Sequence, residues 1–192
     1  MRQPPHSEAS FFEKKYQQTS DPWNFEKSSY ELERYDAVLE SLVGQRYRSA
    51  VEPGCSIGIL TAQLAPLCDH LLAFDFSATA AKSAAARCEG MPQVEVECHE
   101  LSETFAFNDF DLVVLCEIGY YFPEPVWKRL VDRMTTQLGP GSTVVAAHWL
   151  GHSEDHELSG DQVHEVLLST PALELSHSQR FAAFRLEKWT RR

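Results

Sequence analysis

Two runs with almost no polar content, DLVVLC (111–116) and TVVAAHW (143–149), do most to limit what this chain can fold into. Strands that are apolar on both sides must be covered on both faces, as happens in a parallel sheet held between layers of helix. The stretch between them, PEPVWKRLVDRMTTQL followed by GPGS, reads as a helix and a turn. The same alternation runs upstream. RSAVEP reads as a buried strand, IGILTAQLAPL as a helix opened by a glycine turn, HLLAFDFS as a strand, ATAAKSAAARCE as an alanine-rich helix, and QVEVECHEL as a strand of period two. Strands that alternate with helices imply βαβ units and a parallel sheet. The last two runs, ALELSHSQR and FAAFRLEKWTR, have no helix between them and pair as an antiparallel hairpin. The expected fold is α/β: a seven-stranded, mainly parallel sheet whose last strand runs against the others, with helices on both faces.

At 192 residues and 43% hydrophobic, the chain is expected to form a single domain, with an N-terminal segment (1–43) and an α/β core (44–192). The first 30 residues are polar with interspersed aromatics, and TSDPWNF is turn chemistry. SSYELERYDAVLESLV reads as a helix capped by Ser28 or Ser29, with Leu32, Tyr35, Leu39 and Leu42 along one face. The net charge of −11 argues against a nucleic-acid partner. Residues 88–127 and 134–179 contain no Lys or Arg, which fits either a solubilising acidic face or a surface biased toward cationic ligands. No apolar run approaches the roughly 20 residues needed to cross a bilayer, and MRQPPHSEAS lacks the apolar stretch of a secretory signal. Five cysteines without a CxxC pair read as reduced thiols, which sets a cytoplasmic location as the expectation.

The stretch VEPGCSIGILT (51–61) lies where open α/β sheets collect ligands, at the carboxyl end of a strand. Gly54 and Gly58 let backbone amides approach a ligand. A dinucleotide fingerprint needs G-x-G-x-x-G, whereas Ser56 stands at the middle position here and no third glycine follows in place. A P-loop is excluded by the absence of G-K-[ST]. Asp75 comes 17 residues after Gly58, at the end of the next strand. A carboxylate there can accept both hydroxyls of an adenosine ribose. It can equally cap the alanine-rich helix, a task Ser77 can also perform.

EPGCSIG, then AFDFS, then FDLVVLCEIGYYF, then LGPGS resemble the ordered motifs of class I S-adenosylmethionine-dependent methyltransferases, over roughly residues 30–190. EPGCSIG together with the upstream DPWNFEKSSYELERY is similar to the NodS-like subset, named for nodulation enzymes that N-methylate a free amino group on a chito-oligosaccharide. The resemblance implies a Rossmann-like sheet with an N-terminal helical lid, and S-adenosyl-L-methionine as cofactor with S-adenosyl-L-homocysteine as product. It implies that Glu52, Gly54, Cys55 and Gly58 contact the methionine half and that Asp75 binds the ribose. Phe76 would lie against the adenine, with Glu100 and Leu101 near its amino group. Glu117 would stand beside the sulfonium, and Ser56 replaces the second glycine of the pattern. Arg34 is the candidate partner of the cofactor carboxylate, although it can instead pair with Glu31 or Glu33 on its own helix. Tyr16 and Trp23 belong to the segment that would close over the cofactor.

The implied acceptor is a small molecule bearing an amine, such as an amino sugar or short oligosaccharide. Positive charge moves from sulfur to the acceptor during methyl transfer, and Glu117 would favour an amine that becomes cationic. The amine attacks while neutral, so a base is useful, and His148 at the end of TVVAAHW is the candidate. Tyr120, Tyr121 and Trp149 are expected to line the acceptor side. His148, His152 and His156 share an i, i+4, i+8 spacing, but GHSEDHELSG reads as an acidic loop, so no metal is expected. Three other readings stay open: an oxygen acceptor, a module that binds the cofactor without turnover, and a nicotinamide-dependent oxidoreductase. Oligomeric state is open as well.

Overall fold

The computed structural model describes residues 9–192. Most of the MRQPPHSEAS stretch lies outside the described residues. In chain order the elements are α1 (Ala9–Gln18), α2 (Ser29–Leu42), β1 (Ala50–Pro53), α3 (Ile59–Leu64), β2 (Leu71–Asp75), α4 (Ala78–Arg87) and β3 (Val94–Cys98). These are followed by β4 (Leu112–Cys116), α5 (Glu124–Gln137), β5 (Thr143–Trp149), α6 (Gly160–Leu168), β6 (Leu173–Arg180) and β7 (Phe184–Arg191). One sheet of seven strands has the order β3-β2-β1-β4-β5-β7-β6. The first five in that order are parallel, and β7 runs antiparallel to both β5 and β6.

Alternation along each central strand divides the core between two faces. Leu112, Val114 and Cys116 of β4 join the cluster under α2 and α3, with Val38, Leu42, Leu60 and Leu64. Val113 and Leu115 join the cluster under α5 and α6, with Trp127, Leu130, Met134 and Val163. Burial on both sides is what the unbroken apolar runs require.

The strand order reverses at β1, with β2 on one side and β4 on the other. β1 and β4 pair only at Ala50↔Leu112 and Val51↔Val113. Pro53 has no N–H to extend a ladder, and the carboxyl ends of the two strands frame a crevice, the usual ligand position in such sheets.

Two elements depart from expectation. The buried face of α2 carries Glu31, Arg34, Tyr35, Val38 and Leu42, while Leu32 is exposed and Leu39 half-buried. The helix is therefore rotated from its apolar stripe so that a charged pair points inward. The other departure is α6, a helix that follows the acidic loop where the sequence pattern predicts none. Its start is set by a capping box in which the Ser159 hydroxyl accepts from the Gln162 amide and the Gln162 side chain accepts from the Ser159 amide.

Candidate active site

The glycine loop takes its shape from three residues in the left-handed region: Gly54 (φ 72°), Ser56 (φ 51°) and Gly58 (φ 78°). A Cβ at Gly58 would stand 2.8 Å from Ala84 Cα of α4, so close packing as well as dihedral demands glycine there. Ser56 bears a left-handed conformation costing about 1–2 kcal/mol for an L-residue. Two contacts offset this: its amide donates to Asp75 Oδ2 (3.0 Å), and its hydroxyl pairs with the Tyr16 hydroxyl (2.6 Å). The serine at the expected glycine position thus ties the loop to α1.

Asp75 ends β2 and is buried. Its Oδ1 accepts from the Ser77 amide (2.9 Å), while Ser77 itself caps α4 by accepting from the Ala80 amide. Burial raises the Asp75 pKa to about 6, against the pull of its two backbone hydrogen bonds. Each carboxylate oxygen keeps lone-pair capacity for a further donor. On β1, Glu52 is fully enclosed and accepts from the Thr61 hydroxyl (2.6 Å), and burial raises its pKa to about 8.

These groups open on a cavity of about 530 Å³ lined by Gly54, Ser56, Asp75, Phe76 and Glu117, among others. Its roof is aromatic. Phe12 of α1 stacks on Trp23 (6.0 Å between centroids), which stacks on Phe25 (5.6 Å). Phe12 also meets Phe76 and Tyr121 edge-on, at 5.4 and 5.1 Å. Glu13 anchors this roof to the start of α4, accepting from the Ser77 and Thr79 hydroxyls (2.7 and 2.6 Å) and the Thr79 amide (3.2 Å). Those hydrogen bonds hold its pKa near 2, and a carboxylate is favoured at a helix N-terminus.

A smaller hollow of about 40 Å³ adjoins the cavity, sharing Gly54, Ser56, Cys116 and Glu117 and bounded by Arg34, Glu52 and Cys55. Arg34 is 1% exposed and pairs through Nη2 with Glu31. Its Nη1 stands 3.5 Å from Glu117 Oε2 without a hydrogen bond, and its Nε has no partner. Buried donors without acceptors are costly, so the guanidinium has unused capacity for an anion. Glu117 itself has φ 56°. Its Oε1 accepts from the Trp149 amide (2.7 Å) and its Oε2 from the Tyr120 hydroxyl (2.5 Å). Burial and the adjacent Glu117 push the Tyr120 phenol well above its ordinary pKa.

The cavity gathers Tyr16, Trp23, Gly54, Asp75, Phe76, Glu117, Tyr120, Tyr121 and Trp149, all expected at the site. Arg34, Glu52 and Cys55 border the adjoining hollow. Gly58 acts behind the loop, in packing against α4. Three expected residues lie elsewhere. Glu100 is exposed beyond the end of the edge strand β3, and Leu101 is buried in the core cluster under α5 and α6. His148 is completely buried and does not line the cavity. Its Nε2 accepts from the Gly119 amide (3.0 Å), and burial holds its pKa well below the usual histidine value. With that lone pair engaged and no path to the cavity, His148 is not placed to take a proton from an acceptor.

The acidic loop instead supplies His152, Ser153, Asp155 and His156 to the cavity wall. His156 stacks on Tyr120 (3.8 Å, 15°) and meets Tyr121 edge-on (5.2 Å). Its Nδ1 is buried without a partner. Burial lowers its pKa, opposed by Asp155 and Glu117. The histidine spacing was the only sequence signal for this wall. Among the described residues, no cluster of His, Cys, Asp and Glu has the makings of a metal site, no helix is long and apolar enough to cross a membrane, and all five cysteines are unpaired.

A family model described as Nodulation protein S (NodS) matches residues 6–144. Nodulation protein S of Bradyrhizobium diazoefficiens is 29% identical over 127 residues, covering 65% of this chain and 61% of that protein. The Sinorhizobium fredii protein of the same name is 27% identical, with 65% and 59% covered. The chain thus spans about six-tenths of the length of these curated relatives. Among solved structures, a candidate methyltransferase from Pseudomonas syringae is 30% identical, covers 85% of this chain and all of its own, and has a TM-score of 0.74. The N-methyltransferase NodS from Bradyrhizobium japonicum, in complex with S-adenosyl-L-homocysteine, superposes with a TM-score of 0.82 at 22% identity, covering 95% and 98%. The chain belongs to the Nodulation protein S (NodS) family.

Proposed function

We propose that this protein is an S-adenosylmethionine-dependent methyltransferase that methylates the amine of a small acceptor, an amino sugar or short oligosaccharide. The observation that carries this reading is the placement of Asp75 and Arg34 around one glycine-turned crevice. One is a strand-end carboxylate with lone pairs to spare, and the other a buried guanidinium whose Nε has no partner and whose Nη1 makes no hydrogen bond, only a 3.5 Å ion contact with Glu117. These are complements for a ribose diol and an amino-acid carboxylate, two groups that an S-adenosyl amino acid carries on either side of its sulfur.

The residues fit that cofactor. Asp75 would hold the ribose hydroxyls, Phe76 would lie against the adenine, and Arg34 would receive the carboxylate in the hollow beside Glu52, Gly54 and Cys55. Bound there, the cofactor supplies an electrophilic methyl group on a sulfonium for in-line transfer. The chain's own contribution is positioning and exclusion of water. The Phe12–Trp23–Phe25 roof closes the cavity, making residues 9–43 a lid on the core of a single domain. Glu117, fixed by the Trp149 amide and Tyr120 hydroxyl, stabilises the positive charge that develops on the acceptor nitrogen. His156 takes over the role expected of His148. It is neutral at pH 7, lines the acceptor side against Tyr120, Tyr121 and Trp149, and can accept the proton released by the amine. The net charge of −11 favours an acceptor that is no polyanion. Five free thiols support a reducing, cytoplasmic compartment.

Incubation with methyl-labelled cofactor and a panel of amino sugars, deacetylated chitin fragments and phenols tests the reading. Label on amine nitrogen supports it. Label on phenols alone overturns the amine assignment, and cofactor binding without transfer to any acceptor favours a binding module.

A further inference from the structure

We infer that His148 is a positioning residue: an ordered hydrogen-bond chain, Glu187–His164–His148–Gly119, fixes the turn that presents Glu117, Tyr120 and the His156 loop to the acceptor. Its kinetic consequence rests on the methyl-transfer reading; the chain itself does not.

Three elements contribute one residue each: His148 from β5, His164 from α6 and Glu187 from β7. Their exposures are 0%, 0% and 1%. His164 Nδ1 lies 2.8 Å from Glu187 Oε2, and His148 Nδ1 lies 3.2 Å from His164 Nε2. At the far end, His148 Nε2 meets the Gly119 amide at 3.0 Å. The backbone amide can only donate, so His148 Nε2 must be the acceptor and its proton sits on Nδ1. That proton needs His164 Nε2 as acceptor, so the His164 proton also sits on Nδ1 and is donated to Glu187. One proton order satisfies every group. Glu187 is held ionised against its burial by His164 and by Arg185, whose Nη2 donates to Oε1 (2.8 Å). Burial, with the neighbouring His164, Arg34 and His156, keeps His148 neutral.

The output of the chain is the 3₁₀ turn Gly119–Tyr121. Gly119 is wedged so closely that an added Cβ would stand 2.4 Å from Val163 Cγ1 and 3.1 Å from His148 Nε2. The next residue, Tyr120, donates through its hydroxyl to Glu117, and its carbonyl accepts from the amides of Glu157 (2.8 Å) and Leu158 (3.2 Å). Anchoring the Gly119 amide therefore sets Glu117 on one side and the loop bearing His156 on the other. A histidine in the β5 core with no access to the cavity has its explanation here.

The imidazole ¹⁵N spectrum of the labelled wild-type protein tests the chain directly, without turnover. The expected result is both His148 and His164 as Nδ1–H tautomers at pH 7; an Nε2–H tautomer or an imidazolium at His148 would overturn the inference. Two variants test the positioning role. His148→Leu removes the acceptor, and His148→Gln retains one. In the leucine variant, Gly119 amide exchange should rise at least tenfold. With deacetylated chitin fragments as acceptor, kcat should fall at least tenfold, while S-adenosylhomocysteine affinity stays within about threefold. The glutamine variant should recover most of both losses. Unchanged Gly119 exchange in His148→Leu contradicts the proposal. If the leucine variant does not fold, the wild-type tautomers and the glutamine variant decide. Wild-type protein that transfers no methyl group would defeat the functional reading, while the tautomer and exchange results still judge the chain.

Discussion

Asp75 performs two tasks with one carboxylate, orienting the Ser56 and Ser77 amides and leaving lone pairs toward the cavity. Asp75→Asn keeps the shape but loses one acceptor and the charge. S-adenosylhomocysteine affinity should drop by about 10- to 100-fold, in line with 1.5–3 kcal/mol for a hydrogen bond to a charged group, as titration calorimetry would measure. Glu52 gives a pH prediction. Its folded pKa, raised to about 8 from an ordinary 4.5, means the folded state binds the extra proton between those values. Stability contributed by this group is therefore full below pH 4.5 and is lost as pH rises toward 8. Glu52→Gln, isosteric and still able to accept from Thr61, should flatten the decline in Tm between pH 5 and 8. A variant that declines as steeply as wild type would contradict the assignment. His156→Gln should lower kcat/KM and shift or abolish the acidic limb of its pH profile, whereas His148→Gln should leave that limb in place. Gly54, Gly58 and Asp75 were legible in the sequence because local backbone and strand-end position define them. His148 was not, because a single-residue change of register on a strand exchanges the cavity for the core.

Elements show the same division. The five parallel strands and the terminal hairpin follow from apolar period and turn chemistry alone. On α2 the apolar stripe misleads because Glu31 and Arg34 occupy the inward face, where the two charges are buried as a pair that an apolar period does not register. The start of α6 was written in its capping box, yet the acidic loop before it drew the reading toward irregular structure. Two substitutions probe how elements meet. Gly58→Ala would force a Cβ to within 2.8 Å of the α4 backbone in a left-handed conformation. A loss of about 2–4 kcal/mol is expected in chemical denaturation, and a loss below 1 kcal/mol would show that α4 yields freely. Glu13→Ala removes the anchor of α1 on α4. Dissociation of S-adenosylhomocysteine should quicken several-fold in stopped-flow measurements, with unfolding of the core unchanged.

At the scale of the molecule, the sheet topology opens a crevice where the strand order reverses, and the aromatics Phe12, Trp23 and Phe25 enclose it. Cofactor at 100 times its Kd adds about 2.7 kcal/mol to the folded state. For a chain of this size that corresponds to a Tm increase of roughly 5–10 °C. The acceptor is far less legible than the cofactor. In the proposed reading the cofactor would be held by backbone geometry and a strand-end carboxylate, whereas the acceptor would meet the lid, the Tyr120–Tyr121 turn and the 152–156 loop, which only the tertiary fold brings together. The most direct test of the central claim is calorimetric titration of the purified chain with S-adenosylmethionine, S-adenosylhomocysteine and NAD. Saturable binding of both S-adenosyl compounds, weakened in Asp75→Asn and in Arg34→Met, with no heat from NAD, is the expected result; binding of NAD alone, or of none of the three, would contradict it.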